Sequence, residues 1–392
     1  MPAYWLKNTK SYSKMRANVI KLNLKIKRTV LAFGSQSKNT LCYIGRSAVC
    51  ISRVHADLNN PQDFIEFQKD ARRFLKMKPQ AIAYDCHPEY SSSSFALCLL
   101  PFSGKAFPVY HHHAHIASCM AENGVKNQKV LGVAFDGTGL GQDNAVWGAE
   151  FLSCDYAGFK RLAHLKEIPL AGGQQAIYQP WRLAAFWLYR TFGSRFSGLK
   201  VSWLDKLDLN KWKIISSAAQ KGINSPLTSS AGRLFDAAAS LILGKMHAEY
   251  EAQLPIELEK LAAQGLRGKA QEENLAYSFK IEKDKEQYVI DPSGIFKGII
   301  SDLKKRKPKI DMAYRFHLTI AVMIKNMAVV LRKENRINKV ALSGGVFQNK
   351  LLLGMIMGML NKSGFEVFCH KQLPPHDASL SLGQAVIAAF KG

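Results

Sequence analysis

The densest group of chemically active side chains in this sequence is a histidine cluster, in which four of the five residues at 111–115 are histidine. His111 and His115 are four residues apart, so on a helix both imidazoles point the same way and can share one metal ion. Such a pair needs a third ligand to hold iron or zinc. Asp377 suits that role because it lies at a predicted strand-to-helix junction near the far end of the chain. The spacing favours a metal site, with polar packing of the histidines as the alternative.

A glycine-rich segment follows the apolar strand predicted for residues 130–135. It reads Asp136-Gly137-Thr138-Gly139, and a glycine turn after a buried strand can aim backbone N–H groups at phosphate oxygens. The Thr138 hydroxyl adds a hydrogen-bonding group, and Asp136 is placed to reach a cation bound to that phosphate. A hairpin turn without a ligand is the alternative.

Two further glycine positions predict close approach of a ligand to the backbone. Gly344 and Gly345 separate an apolar strand from a helix and leave bare backbone at the helix N-terminus. Asn349 either caps that helix, which is the default for an Asn there, or hydrogen-bonds a base or ribose. Gly232 costs its helix about 1 kcal/mol relative to Ala, which favours contact with something flat, and Asp236 lies one turn further on the same face.

Short apolar strands alternate with amphipathic helices along the whole chain, which indicates an α/β fold. Two halves, each a strand meander followed by helices, predict a duplicated two-lobed architecture with a cleft between the lobes. The expected organisation is a basic N-terminal extension at 1–28, a first lobe at 29–128, and a second lobe at 129–392 with helical insertions.

The composition is that of a folded chain of 392 residues, 47% of them hydrophobic, with no apolar run approaching the roughly 20 residues of a membrane span. The net charge is +24 and the first 56 residues contain no acidic side chain. A solvated basic tail is the favoured interpretation, and an arm for nucleic acid is the alternative. Seven cysteines without a C-x-x-C pair argue against a disulfide framework. No secretory h-region is found at the start, so we expect a cytoplasmic protein with no membrane partner.

Six ordered segments together resemble one known family. They are HHHAHIASCMAENG, VLGVAFDGTGLGQDNAVWGAEFL, SSAGRLFDAAASLI, YEAQLPIELE, LSGGVFQNKLLL and SLGQAV. They are similar to the TsaD-like catalytic region of HypF-type carbamoyltransferases, which act in nickel–iron hydrogenase maturation. The similarity runs from about residue 29 to the C-terminus. It implies an actin/Hsp/sugar-kinase-like (ASKHA, TsaD-like) fold with an interlobe cleft.

The resemblance also implies a reaction and a set of site residues. The reaction is transfer of a carbamoyl group from carbamoyl-adenylate to the C-terminal cysteine of a HypE-like protein, with release of AMP. A divalent iron or zinc ion would be bound by His111, His115 and Asp377, and the catalytic residues would be His111, His115 and Asp136. Phosphate of ATP, AMP or the adenylate would face Gly137, Thr138 and Gly139. The nucleoside pocket would be lined by Gly232, Asp236, Glu251, Gly344, Gly345 and Asn349.

The sequence departs from the resembled family in ways that affect its partners. The family's YrdC-like region, which makes carbamoyl-adenylate, is not found here, so we expect a separate YrdC-like adenylate-forming protein. Within the motifs, Ala252 stands in place of a glycine and Ala378-Ser379 in place of a Gly-Gly pair. The alternatives are a tRNA threonylcarbamoyl transferase-like enzyme, which the positive charge would suit, and a nucleotide-binding scaffold without catalysis. The HHHAH and GGVFQN forms and the LFDAAASL helix favour the HypF-type enzyme over the tRNA enzyme. The presence of His111, His115, Asp136 and Asp377 argues against the scaffold, whereas the altered Gly-Gly pair argues for it.

Overall fold

The structure is a computed structural model that describes residues 18–20, 22, 24–45, 49–99, 104–265 and 273–391. Most of the predicted basic extension at 1–28 therefore lies outside the described residues. The strands of the first half are β1 (Asn18–Ile20), β2 (Val30–Ala32), β3 (Ser37–Asn39), β4 (Cys42–Ile44), β5 (Val49–Ile51), β6 (His55–Asp57), β7 (Ala81–Asp85) and β8 (Ala106–Val109). Its helices are α1 (Pro61–Leu75), α2 (Ser91–Cys98) and α3 (His111–Glu122).

A six-stranded sheet with the order β1-β5-β4-β2-β7-β8 forms the first lobe. Strands β1, β5, β4 and β2 form an antiparallel meander, whereas β7 pairs in parallel with β2 and β8. Both faces of the central strand β2 are buried, which explains its uniformly apolar sequence. Helix α1 covers one face with Phe67, Ala71 and Phe74, and the Asn60 side chain caps its N-terminus.

The second half contains the remaining elements. Its strands are β9 (Val130–Leu140), β10 (Val146–Cys154), β11 (Phe159–Leu165), β12 (Ile168–Pro169), β13 (Leu227–Thr228), β14 (Lys280–Asp284), β15 (Gln287–Asp291), β16 (Lys339–Ser343) and β17 (Glu366–Phe368). Its helices are α4 (Gln175–Tyr178), α5 (Trp181–Phe192), α6 (Leu209–Gln220), α7 (Ala231–Leu243), α8 (Gln253–Gln264), α9 (Ser293–Lys304), α10 (Lys309–Asn335), α11 (Lys350–Lys362) and α12 (Leu380–Phe390). The sheet runs β14-β15-β11-β10-β9-β16-β17, with β12 and β13 attached beside β10.

Two helices lie between the sheets and join the lobes. Helix α12 packs on β2, β4 and β7 of the first sheet, while α3 packs on β9, β10 and β16 of the second. The two helices meet at Gly383, where an added Cβ would lie 1.9 Å from the carbonyl oxygen of Ala114, so only glycine fits. As a result every residue of α3 from His111 to Ala121 is buried.

Helix α12 is also tied to the first lobe by polar contacts. The Gln384 side chain accepts the N–H of Gly34 at 2.8 Å and donates to its carbonyl oxygen at 3.1 Å. The hydroxyls of Thr40 and Ser381 lie 2.6 Å apart. The last helix therefore belongs structurally with the first sheet, although it lies within the predicted range 129–392. The predicted lobe boundaries stay a prediction.

The glycine segment at 136–139 differs from its prediction as a tight turn. Strand β9 continues through it to Leu140, and the connection to β10 lies at residues 141–145. The segment forms a hairpin with β10, with Gly139 opposite Trp147 and Phe135 opposite Ala149. The register shift between these pairs leaves three residues of β9 opposite one of β10, which bends the strand.

Helix α10 is long and apolar enough, by length and composition alone, to cross a membrane. Of its most apolar 18-residue window, however, 72% is buried inside the protein. It packs against α7, α8 and α11. Within the described residues it is therefore a core helix that supports the wall of the cleft.

Ala252 occupies a left-handed backbone conformation, with φ 64° and ψ 11°, at the residue before α8. A side chain in this region costs roughly 1–2 kcal/mol relative to helical backbone, a cost that glycine avoids. We therefore expect Ala252→Gly to raise the free energy of unfolding by about 1 kcal/mol, measured from urea denaturation. Ala263→Gly, at an exposed helical position in the same helix, should change it in the opposite direction. Destabilisation by both substitutions would show that Ala252 is not strained.

Candidate functional site

A cavity of about 380 Å³ lies between the two lobes. The first lobe contributes Ser37 and Lys38 from β3. The rest of the lining comes from the second half of the chain: Asp136, Gly137, Thr138, Gly232, Arg233, Phe235, Glu251, Ala252, Pro255, Ile256, Glu259, Gly345, Val346, Gln348, Asn349, His376 and Asp377. Six separate segments therefore converge on one cleft, as the two-lobed interpretation requires.

Two histidines and two aspartates meet at one end of this cavity. The Nε2 atoms of His111 and His115 lie 3.3 Å and 2.8 Å from Asp136 Oδ2. Both nitrogens also lie 3.7 Å from Asp377 Oδ1. The four ligand atoms fall within 4.8 Å of one another, so one cation can contact all of them. Two imidazole nitrogens and two carboxylate oxygens are a donor set suited to zinc or iron(II).

A third carboxylate orients one of the imidazoles from behind. Asp85 Oδ2 lies 3.0 Å from His111 Nδ1, and both side chains are buried. The carboxylate accepts the Nδ1–H, which leaves Nε2 directed at the metal position, an arrangement usual for metal-binding histidines. Sequence reasoning missed Asp85, although its place at the end of the apolar strand β7 is where a cleft residue is expected.

The electrostatics of the cluster favour a bound cation. Burial opposes charge on His111, but Asp377, Asp136 and Asp85 outweigh it and raise the His111 pKa well above its usual value. Burial alone would raise the pKa of Asp136, yet His115 and His111 hold it well below the usual range. Burial raises the pKa of Asp377. Two buried carboxylates and the partly buried Asp377 thus face two imidazoles, an excess of negative charge that a divalent ion would neutralise.

Asp136 also joins the two glycine segments. Its Oδ1 accepts the backbone N–H groups of Gly137 at 2.8 Å and Gly345 at 3.0 Å. A Cβ on Gly345 would lie 2.9 Å from that same oxygen, so the missing side chain allows the contact. The hydroxyl of Ser230 donates to the carbonyl oxygens of Asp136 and Gly137. The Asp136 carboxylate therefore connects the metal position to both glycine segments that line the cavity, the one at Gly137 and the one at Gly345.

Six of the nine predicted nucleotide-binding residues line the cavity: Gly137, Thr138, Gly232, Glu251, Gly345 and Asn349. The other three lie behind its wall. A Cβ on Gly139 would lie 2.6 Å from the His112 ring, and one on Gly344, whose φ is +109°, would lie 2.2 Å from the Phe135 carbonyl oxygen. Asp236 is buried and ion-pairs with Arg233 at 2.9 Å. In the structure these three residues serve packing around the site.

Asn349 caps α11, as the default interpretation predicted, by accepting the N–H of Leu352 at 2.8 Å. Its amide Nδ2 also donates to His317 Nε2 at 2.9 Å, while His317 Nδ1–H donates to the Ala313 carbonyl oxygen. Burial lowers the pKa of His317 to about 4, which keeps this imidazole neutral and able to accept. A buried histidine on α10 therefore holds a cavity residue in place.

Several lining residues carried no sequence signal that singled them out. Lys38 is one of many lysines in a basic chain, yet it is the cation that β3 places at the cleft. Arg233 lies in the SSAGRLFD motif, directly after Gly232, which is the residue of that motif for which ligand contact is predicted. Glu259 accepts the backbone N–H of Lys350 at 2.8 Å, a contact between distant helices. Tertiary proximity of this kind is not encoded in local spacing.

Comparison with known families gives two matches that together cover most of the chain. Residues 25–122 match the HypF Kae1-like domain, and residues 132–384 match the second subdomain of the carbamoyltransferase Kae1-like domain. A carbamoyltransferase HypF of Synechocystis sp. is 34% identical over 91% of this chain and 46% of its own length. A carbamoyltransferase HypF homolog of Cupriavidus necator is 32% identical over 92% of this chain and 91% of its own length.

Two solved structures resemble the chain closely. Full-length HypF in its phosphate- and nucleotide-bound form has a TM-score of 0.87 and 38% identity, covering 95% of this chain and 47% of that one. HypF of T. kodakarensis has a TM-score of 0.82 and 28% identity, covering 95% and 49%. The predicted two-lobed fold class is thereby confirmed. The chain spans about half the length of these HypF chains and of the Synechocystis relative.

The geometry predicts which histidines hold metal. Replacing His111 or His115 with Ala removes one of two nitrogen ligands, so we expect each variant to lose its bound zinc or iron, measured by elemental mass spectrometry after dialysis. His113→Ala is the matched control, because His113 is buried on the same helix but contacts the Asp155 carbonyl oxygen instead. Metal retained by both ligand variants would contradict the assignment.

The neutral His317 predicts a pH dependence of stability. Its pKa is about 4 in the folded protein and about 6.5 when unfolded, so unfolding takes up a proton between these values. The free energy of unfolding should fall by up to about 1.4 kcal/mol per pH unit from this group as the pH drops from 6.5 towards 4. His317→Asn should reduce that slope in denaturant titrations. The slope should not change in His247→Asn, which alters an exposed histidine.

Proposed function

This chain belongs to the HypF carbamoyltransferase family, and on that premise we propose that it transfers a carbamoyl group from carbamoyl-adenylate to a cysteine thiol of a partner protein. The observation that carries the proposal is the convergence of His111, His115, Asp136 and Asp377 at one end of the interlobe cavity. A metal position thus adjoins a pocket that is large enough for part of an adenylate.

In this proposal the lining provides a phosphate end and a nucleoside end. Near the metal position, Thr138 offers a hydroxyl and Lys38 a positive charge from the opposite lobe. Further along, Asn349 offers an amide and Glu251 a half-exposed carboxylate suited to ribose hydroxyls. A solved HypF structure carries phosphate and nucleotide, which supports the same class of ligand here. Bound iron or zinc would supply Lewis-acid stabilisation of the negative charge that develops during transfer.

The attacking sulfur is proposed to come from outside the chain. No cysteine lines the cavity within the described residues. Cys86 follows Asp85 directly, but burial and that carboxylate raise its pKa to about 12, so its thiol stays protonated and weakly nucleophilic. In the proposed step, the partner's thiol gives its proton to solvent water, and its sulfur bonds to the carbamoyl carbon. The bond from that carbon to the phosphate oxygen breaks, and AMP leaves.

The proposed partners follow from this chemistry. A HypE-like protein would present the acceptor cysteine at its C-terminus, because an extended tail can enter a cleft that a folded surface cannot. A YrdC-like adenylate-forming protein would supply carbamoyl-adenylate. All seven cysteines are free thiols, which fits a reducing compartment, so we propose a cytoplasmic location. The positive charge suits acidic partners, with nucleic acid as the less favoured case.

The direct test is to incubate the purified, metal-loaded chain with carbamoyl-adenylate and a peptide that carries the HypE C-terminus. Mass spectrometry of the peptide should show carbamoylation of its cysteine. Gly232→Ala should slow transfer by on the order of 10- to 100-fold, because the added Cβ would lie 3.0 Å from Gly137 Cα. Gly354→Ala is the matched control, since nothing lies within 4 Å of its Cβ.

The other interpretations predict different products in the same experiment. Modification of added tRNA, with the peptide unmodified, would support a threonylcarbamoyl transferase-like enzyme. Nucleotide binding without transfer to either acceptor would support a non-catalytic scaffold. Equal transfer rates for the Gly232→Ala and Gly354→Ala variants would indicate that transfer does not take place in the described cavity.

A further inference from the structure

A chain of buried hydrogen bonds runs away from the metal position behind His115. The Oγ of Ser343 lies 3.4 Å from His115 Nδ1 and 2.9 Å from His370 Nε2. The other ring nitrogen of His370, Nδ1, lies 2.7 Å from Glu122 Oε2. The side chains of His370 and Glu122 are 3% and 1% exposed, and Ser343 and His115 are fully buried. Water therefore does not compete for these contacts.

The direction of each hydrogen bond is set from the Glu122 end. This carboxylate also accepts backbone N–H groups of Lys371, Gln372 and Leu373. Burial would raise its pKa, but His370 and the backbone donors at Gln372 and Lys371 outweigh burial and lower it. An ionised carboxylate can only accept, so His370 Nδ1 must carry the hydrogen.

The remaining directions follow in turn. Burial lowers the His370 pKa, so the ring is neutral and its Nε2 is an acceptor. The Ser343 hydroxyl is then the donor to His370, and its oxygen lone pairs accept from His115 Nδ1–H. With the hydrogen held at Nδ1, the lone pair of His115 Nε2 is the one available to a cation beside Asp136. One proton arrangement satisfies these three contacts. The Ser343 hydrogen goes to His370 Nε2 at 2.9 Å rather than to the Pro375 carbonyl oxygen at 3.5 Å.

We propose that Ser343, His370 and Glu122 are positioning residues that fix the tautomer and ring orientation of His115 for metal binding. This inference rests on the proposed metal site. Ser343 accepts the Nδ1–H of His115 as Asp85 accepts the Nδ1–H of His111. The acceptor for His115 is a neutral hydroxyl instead of a carboxylate. Metal-binding histidines depend on such outer contacts for affinity.

The placement of the three residues in the fold supports this role. Glu122 ends α3, the helix that carries both histidines. Ser343 ends β16, directly before the Gly344-Gly345 bend. His370 lies in the segment that leads from β17 to Asp377. The hydrogen-bond chain therefore connects the histidine helix to the two segments that carry a cavity wall and the fourth metal ligand.

The first test measures zinc affinity of the full chain by competition with a chromogenic chelator. Ser343→Ala should weaken zinc binding by about 10- to 100-fold. Ser118→Ala is the matched control: Ser118 is buried on α3, one turn from His115, and its hydroxyl has no hydrogen-bond partner among the described residues. The control should bind zinc as the unmodified chain does.

Thermal melting with and without zinc separates positioning from a general structural role. A structural role would lower both melting temperatures equally and leave the zinc-induced increase unchanged. Positioning reduces that increase in Ser343→Ala, because ligand stabilisation follows affinity. An undiminished increase together with unchanged affinity would overturn this inference and leave the metal site standing. If the unmodified chain binds no zinc or iron(II), both the site and this inference are overturned.

A double-mutant cycle tests the link to Glu122. Glu122→Gln removes the charge that sets the hydrogen-bond direction, so zinc affinity should fall several-fold in the unmodified background. The same change should have no further effect in Ser343→Ala, because the chain is already broken there. Additive effects would overturn the proposed connection. His370→Gln, which breaks the same link, provides the second cycle if Glu122→Gln fails to fold.

Discussion

The placement of three carboxylates around two buried imidazoles is the constraint on which the rest of this structure depends. Asp85, Asp136 and Asp377 come from three distant parts of the chain, yet all three lie within hydrogen-bonding or ion-pairing distance of His111. Asp136 and Asp377 lie equally within reach of His115. Buried charges without compensation are costly. The fold tolerates them here because each is paired, and because the set as a whole suits a cation. The surrounding packing can be understood as the means of holding this arrangement away from water.

The packing that does so depends on a few small residues. Gly383 lets α12 approach the backbone of α3 at Ala114, and Gly132 of β9 lies against the Ile116 side chain on the other side of α3. The histidine helix is therefore enclosed by both lobes while its first turn faces the cleft. Asp377 lies in the short turn before α12, and Asp136 lies in β9. The contacts that bury α3 therefore also place these two carboxylates beside its histidines.

Local spacing was enough to predict that His111 and His115 share one face of a helix and that the chain has a two-lobed α/β fold, but not the supporting contacts. The i,i+4 pair at His111 and His115 is a property of helical geometry alone, and it holds once α3 forms. Whether Gly139 meets a ligand or a histidine ring depends on the strand register opposite Trp147, which no local pattern specifies. The roles of Asp85 and Glu122 could not be predicted for the same reason. Their partners, His111 and His370, are 26 and 248 residues away in the sequence.

Because α12 is attached to the first sheet, the two aspartates at the metal position belong to different halves of the structure. Through Gln384 and Ser381 the last helix is hydrogen-bonded to Gly34 and Thr40, and Asp377 lies in the short 3-10 turn (Asp377–Ser379) that leads into it. Asp136, by contrast, belongs to the second sheet. A cation bound by both carboxylates, as proposed for this site, would cross-link the two halves of the chain. Such an ion would oppose any separation of the two sheets at this end of the cavity.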